Sequence, residues 1–206
     1  TKKLYEKAIS LAGLTGNERV LDAYCGIGTI GLIASRDARE VISVELNPDA
    51  VRDAVTNAKR NQIKNVSFYQ NDAGAFMVSM AEKGEKADIV FMDPPRAGSD
   101  EAFLSSVVTL SPKKVVYVSC NPETLARDLR YLTKHGYKAE EAWGYDMFAW
   151  SEHVESIVLL SKLKSNKLKH INVELEMDEL DLMAAESKAI YAEVKDYVSE
   201  AKRIES

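Results

Sequence analysis

From Lys2 to Lys162 the apolar residues of this chain keep switching between two spacings, and that switching leaves few folds open. Short apolar runs bounded by turn residues read as strands at residues 19–24, 41–45, 66–70, 87–92 and 114–119. Helical stripes fall around and between them, at residues 2–12, from the glycine turn through Ala34, from Asn47 to about Asn61, and at 75–82, 101–110 and 123–135. Asn47 is placed as the N-cap of its helix, with Pro48 at the first helical position. Strands alternating with helices predict an α/β chain whose mostly parallel sheet is covered on both faces. Residues 137–148 and 153–160 follow with no helix between them. They predict a closing hairpin that gives a seven-stranded sheet an antiparallel edge strand.

The length of 206 residues is enough for one sizeable core and a short appendage. The spacing predicts a domain over residues 1–162 and a linker with a C-terminal extension over 163–206. In the extension, residues 171–177 alternate like a strand and 180–204 carry a helical stripe. That segment is expected to pack on the domain or on a second copy of the chain. The chain opens at Thr1 and enters a helix at once, so it reads as a fragment of a longer protein. Two cysteines form no disulfide framework and fit a reducing cytoplasm. Three histidines with no close pair argue against a zinc site. No apolar run approaches the 18 or so residues of a membrane span. The net charge of −5 counts against RNA binding by this segment alone, because phosphate contacts need basic surface.

The most informative turn is Cys25-Gly26-Ile27-Gly28-Thr29-Ile30-Gly31, between a strand and a helix. Its G-x-G-x-x-G spacing serves dinucleotides and methyl donors alike. Asp22, just before the glycines, favours the methyl donor, since a carboxylate there would repel a pyrophosphate and suits a cationic ligand. Glu45 ends the second strand, placed to hydrogen-bond a ribose, and does not discriminate between the two.

Asp93-Pro94-Pro95-Arg96 follows the fourth strand. Its prolines stiffen the backbone that aims Asp93 and Arg96, and Arg96 in place of an aromatic residue argues against amine methylation. Cys120 stands at the carboxyl end of the fifth strand, before a helix whose dipole is expected to favour the thiolate. Cys25 reads as a buried, inert thiol. His153 and Glu155 open the last strand on one side of its pleat.

Together DAYCGIGTIGL, VISVELNPDAV, NDAG, DPPRAG, VSCNP and DMFAWSEHVE resemble the RNA 5-methyluridine methyltransferases of the tRNA and 23S ribosomal RNA type, over residues 1–162. The resemblance implies a Rossmann-like, S-adenosylmethionine-dependent fold. It implies Cys120 as nucleophile and Glu155 as general base. Asp22, Tyr24, Gly26, Gly28, Glu45, Asp72 and Asp93 would lie at the methyl donor, and Asp93, Arg96 and His153 at the target base. The substrate implied is RNA, ribosomal ahead of transfer RNA, gripped by N-terminal domains upstream of this chain. The sequence departs from the family at Ala149 and Ser151. Rival readings are an NAD-dependent oxidoreductase, a non-catalytic donor- or RNA-binding module, and a sister enzyme acting on cytosine or a small molecule.

Overall fold

A computed structural model describes residues 2–147 and 154–164. His153, Ala149, Ser151 and the C-terminal extension lie outside the described residues. The elements are α1 (Lys2–Ala12), β1 (Arg19–Ala23), α2 (Thr29–Ala34), β2 (Glu40–Glu45), α3 (Pro48–Arg60), β3 (Val66–Gln70), α4 (Ala73–Glu82), β4 (Ile89–Met92), α5 (Glu101–Leu110), β5 (Lys114–Ser119), α6 (Pro122–Lys134), β6 (Tyr137–Tyr145) and β7 (Glu155–Lys162).

The seven strands form one sheet in the order β3-β2-β1-β4-β5-β7-β6. β1 to β5 run parallel, and β7 is antiparallel to both β5 and β6. The closing hairpin is present and gives the sheet an edge strand that pairs antiparallel with its neighbour. β7 lies one place in, and β6 forms the edge, running the same way as β1 to β5. Composition explains the choice. The inner strand carries Ile157, Val158, Leu159 and Leu160, all buried, whereas β6 exposes Lys138, Glu140 and Glu141. A bulge between Ala139 and Glu141 and that run of charge leave the edge a poor template for further pairing.

Alternate residues of each strand feed two apolar layers. Leu21, Val44, Val115 and Tyr117 pack with Met77, Phe103, Leu125 and Leu132 of α4, α5 and α6. Val20, Val41, Val116 and Val118 pack with Leu4, Ala8, Ile9 and Ile30 of α1 and α2. A sheet buried on both faces needs continuous apolar strands, and β4 (Ile-Val-Phe-Met) shows this most fully. No helix among the described residues is long and apolar enough to cross a membrane.

Four helices begin at the carboxyl edge of the sheet with a side-chain cap. Asn47, Asp72, Asp100 and Asn121 accept from the backbone N–H of Asp49, Ala75, Phe103 and Glu123 respectively. These caps end the loops after β2, β3, β4 and β5, which hold Asp72, Asp93, Arg96 and Cys120 among the sequence-predicted site residues.

Candidate active site

The strand order reverses between β1 and β4, and in open α/β sheets ligands bind beyond the carboxyl ends of strands at such a switch. The glycine turn leaves β1 on one side of this crevice. The Asp93–Arg96 turn leaves β4 on the other.

In the glycine turn, Gly28 has φ of +85° and lies against Phe68 and Ala54. A β-carbon there would come within 3.0 and 3.2 Å of them, so both conformation and space demand glycine. Gly26 is open, with nothing within 4 Å of where a β-carbon would stand. Gly31 packs α2 onto the strands: a β-carbon there would meet Ser43 Oγ at 2.6 Å and Asp22 Oδ2 at 2.8 Å. Gly31→Ala is therefore expected to destabilise the chain by about 1–3 kcal/mol, seen as a lower urea midpoint at unchanged slope.

Asp22 lies beneath this turn, 1% exposed, and its Oδ2 accepts from Gly31 N at 2.8 Å. Its Oδ1 is buried without a hydrogen-bond partner. Burial, with lesser help from Asp93 and Glu45, pushes its carboxyl up to about 7, although the Gly31 hydrogen bond opposes the rise. Tyr24 takes a left-handed backbone conformation, with φ of +60°, and its ring packs on Phe103 at 4.7 Å. Burial first, then nearby carboxylates, push its hydroxyl up to about 12. Glu45 spans two backbone donors, Gly26 N at 3.0 Å and Asn47 N at 2.8 Å. Leu46 beside it is 67% exposed. Asp72 uses its carboxylate to cap α4.

Across the crevice, antiparallel pairing brings the nucleophile and base candidates together. Ser119 pairs with Ser156 at the end of the β5–β7 ladder. Continued by one step, that register sets Cys120 opposite Glu155, and the two interact electrostatically. Both are half-buried. Burial and then Glu155 raise the Cys120 thiol, Asp93 adds to this, and Arg96 opposes it. All four groups thus share one electrostatic neighbourhood. Burial and then Glu155 push Asp93 up to about 6, and burial likewise raises Glu155. The helix dipole does not dominate the thiol as the sequence suggested. Asn121 already caps α6, Glu123 adds negative charge to its first turn, and two carboxylates face the sulfur. Cys25 is buried and its thiol raised by burial, in keeping with an inert role. Grooves of about 420 Å³ between α5 and α6 and 230 Å³ between α2 and α3 include neither Cys120 nor Glu155.

Tyr5 is a site neighbour that sequence reasoning passed over. Its hydroxyl is raised by burial, then by Asp93, Glu155 and Asp22. Only the packing of α1 across β5 and β7 brings it there, and the spacing of α1 alone carries no such signal.

The sequence profile of the tRNA (uracil-5-)-methyltransferase family matches residues 1–163. The chain belongs to that family. Among relatives of this tRNA (uracil-5-)-methyltransferase family member, a protein of Halalkalibacterium halodurans named as an RNA methyltransferase is 48% identical over 160 residues, covering 78% of this chain and 35% of its own. One from Caldanaerobacter subterraneus subsp. tengcongensis is 47% identical over 163 residues, covering 79% and 36%. The chain thus spans about a third of the length of these relatives. A solved structure, the Pyrococcus abyssi tRNA (uracil-54, C5)-methyltransferase in complex with S-adenosyl-L-homocysteine, superposes with a TM-score of 0.65 at 32% identity. It covers 77% of this chain and 37% of that one. The Rossmann-like methyltransferase fold expected from the sequence is therefore the fold of this family member.

Proposed function

We propose that this chain is the catalytic region of an S-adenosylmethionine-dependent RNA methyltransferase that modifies carbon 5 of a uridine through a covalent bond to Cys120. The observation that carries this reading is the convergence of Cys120, Glu155, Asp93 and Arg96 at the sheet edge beside the glycine turn. The family match ending at residue 163 supports a catalytic domain over 1–162, with the remainder an extension.

The cofactor pocket is supported by the chemistry of its residues. Glu45 spends one lone pair of each oxygen on backbone N–H groups, which leaves others to accept from ribose hydroxyls. Exposed Leu46 offers an apolar face to a base, and the open side of Gly26 leaves room for close backbone approach. When bound, S-adenosylmethionine supplies an electrophilic methyl group.

Carbon 5 of uracil is too weak a nucleophile to take that methyl unaided. The Cys120 thiolate adds to carbon 6, forming an S–C bond, and the displaced double-bond electrons move onto the carbonyl oxygen at carbon 4. Arg96 is suited to stabilise that developing negative charge. Carbon 5, now nucleophilic, becomes methylated and still carries its hydrogen. Glu155 takes that proton, the carbon 5–carbon 6 double bond re-forms, and the Cys120 thiolate leaves. Burial raises the Glu155 carboxyl and so makes its carboxylate a stronger proton acceptor. Asp93 is placed to hydrogen-bond the pyrimidine edge. The base must leave its stack to reach the sulfur, so a loop or flipped nucleotide of RNA is the expected substrate.

The test is methyl transfer by the full-length parent from a radiolabelled donor to ribosomal and transfer RNA transcripts, followed by digestion to nucleosides. Label in 5-methyluridine is the expected result. Label confined to a methylated cytidine, or none in any RNA, would overturn the reading.

A further inference from the structure

Helix α6 does more than follow the cysteine. Its side chains grip the turn that carries Arg96, one carbonyl after another. Asn121 Nδ2 and Thr124 Oγ1 donate to Arg96 O at 3.2 and 3.3 Å. Arg127 donates through one guanidinium nitrogen to Ala97 O at 3.1 Å and Ser99 O at 2.8 Å. Asp128 completes the grip from inside the protein. It is 0% exposed, and its Oδ2 accepts from Ser99 N at 2.7 Å and from the buried Tyr117 hydroxyl at 2.6 Å. Its Oδ1 takes Arg127 Nε at 2.8 Å. A buried carboxylate is costly unless charge-paired and hydrogen-bonded. Here two neutral donors and one guanidinium meet that requirement, and each of them belongs to the turn, to β5 or to α6.

The turn is shaped to receive this grip. Gly98 has φ of +74°, and a β-carbon there would lie 2.6 Å from an Arg127 guanidinium nitrogen and 2.9 Å from Asp128 Oδ2. The turn and the helix are therefore in contact with no space for an intervening side chain. The consequence is geometric. Cys120 is fixed to β5 and to the start of α6, and the Arg96 turn is fixed along the same helix, at Arg96 by Asn121 and Thr124 and at Ala97 and Ser99 by Arg127 and Asp128, so one helix sets the distance between them.

We propose that Asp128, with Arg127, is a positioning residue pair that holds Arg96 in register with the Cys120 sulfur, without touching either substrate. This assignment rests on the proposed role of Cys120 as the nucleophile. It explains why a fully buried carboxylate stands in a helix that otherwise buries apolar residues such as Leu125 and Leu132. It also accounts for the buried phenol of Tyr117 within an apolar strand, since that hydroxyl has the carboxylate as its acceptor.

The test uses the full-length protein and an RNA substrate carrying 5-fluorouridine. With the methyl donor present, carbon 5 becomes methylated, and its fluorine cannot then be removed as the proton is, so the sulfur–carbon 6 adduct persists and its rate of formation can be measured. Asp128→Asn and Arg127→Ala are each expected to slow adduct formation roughly tenfold to a hundredfold, the scale of a small misplacement of reacting groups. Donor affinity should stay within about twofold, because the glycine turn is untouched. The pH midpoint of adduct formation should also move upward, since Arg96 lowers the thiol's pKa and would be displaced. A loss of fold would leave the pH midpoint of the residual activity in place. Arg127, whose side chain is 57% exposed, is the variant less prone to unfolding. Adduct formation at the wild-type rate, or a slower rate with an unmoved midpoint, in both variants would overturn the assignment alone. An adduct formed by Cys120→Ala would instead sink the cysteine reading, and this assignment with it.

Discussion

Cys120→Ala in the full-length protein is expected to lower methyl transfer to RNA by a factor on the order of 10⁴–10⁶, the range seen when a covalent nucleophile is removed. Glu155→Gln is expected to lower turnover by about 10²–10⁴, the worth of a general base. The two losses should look different on a denaturing gel. Without the sulfur no bond to carbon 6 forms, so Cys120→Ala should show no slow-migrating protein–RNA band. Without the carboxylate, addition and methylation still proceed, but the proton on carbon 5 stays and the sulfur cannot leave. Glu155→Gln should therefore accumulate that band with natural RNA, and the band should contain the labelled methyl. The split follows from the different roles proposed for the two groups, which stand together where the β5–β7 ladder ends. Glu155→Gln also removes the main electrostatic contribution raising the thiol, so its adduct should form no more slowly than that of the unmodified protein. A Cys120→Ala protein that still makes 5-methyluridine would end the covalent reading. A Glu155→Gln protein with slow turnover and no adduct would move the base elsewhere, with Asp93 the next group in reach.

Much of the frame was legible because its signals are local. α1, β3, α5 and β5 begin and end where the spacing puts them, and Asn47 caps α3 with Pro48 at its first position. The shifted boundaries have local causes that spacing hides. α4 starts at Ala73 because Asp72 caps it, two residues before the apolar pattern becomes visible. β4 starts at Ile89 because Asp88 turns its carboxylate back to accept from Arg19 N at 3.0 Å. The place of β7 was not legible. A hairpin can be read from two adjacent runs, but which of its strands pairs with β5 depends on contacts some forty residues away in sequence. The site divides the same way. Residue types at loops and strand ends singled out Cys120, Glu155, Asp93 and Arg96 as candidates, and the fold brings these four into one electrostatic neighbourhood. The electrostatic balance at the sulfur, the approach of Tyr5 and the grip of Asp128 on the Arg96 turn all needed three-dimensional packing. Sequence also placed Asp22 at a ligand, whereas its carboxylate is buried under the glycine turn and engages Gly31.

That burial makes Asp22→Asn the substitution with the largest expected effect on stability, and the effect should depend on pH. The carboxyl is held near 7 in the folded chain, against 3.8 as its ordinary value. A group whose folded pKa is raised binds its proton more tightly in the native state. Stability is then full below about 4, falls as the pH rises toward 7, and levels off above it. The difference of about three pH units corresponds to a cost on the order of 4 kcal/mol above pH 7. The physical source is the desolvated, unpartnered Oδ1, with Asp93 and Glu45 adding repulsion. Asparagine keeps an oxygen to accept from Gly31 N, carries no charge, and can turn its amide toward Ser43, whose Oγ is also buried without a partner on the neighbouring strand in register with Asp22. The variant should therefore melt near the parent temperature at pH 4 and well above it at pH 8, at about 2–4 °C for each kcal/mol gained. Asp93, also held up, adds its own loss over the lower part of this range in both proteins, so the difference between the two curves reports Asp22 together with its repulsion from Asp93. Parallel melting curves from pH 4 to 8 would show that the native carboxylate ionises at its ordinary value, with water reaching the space under the turn.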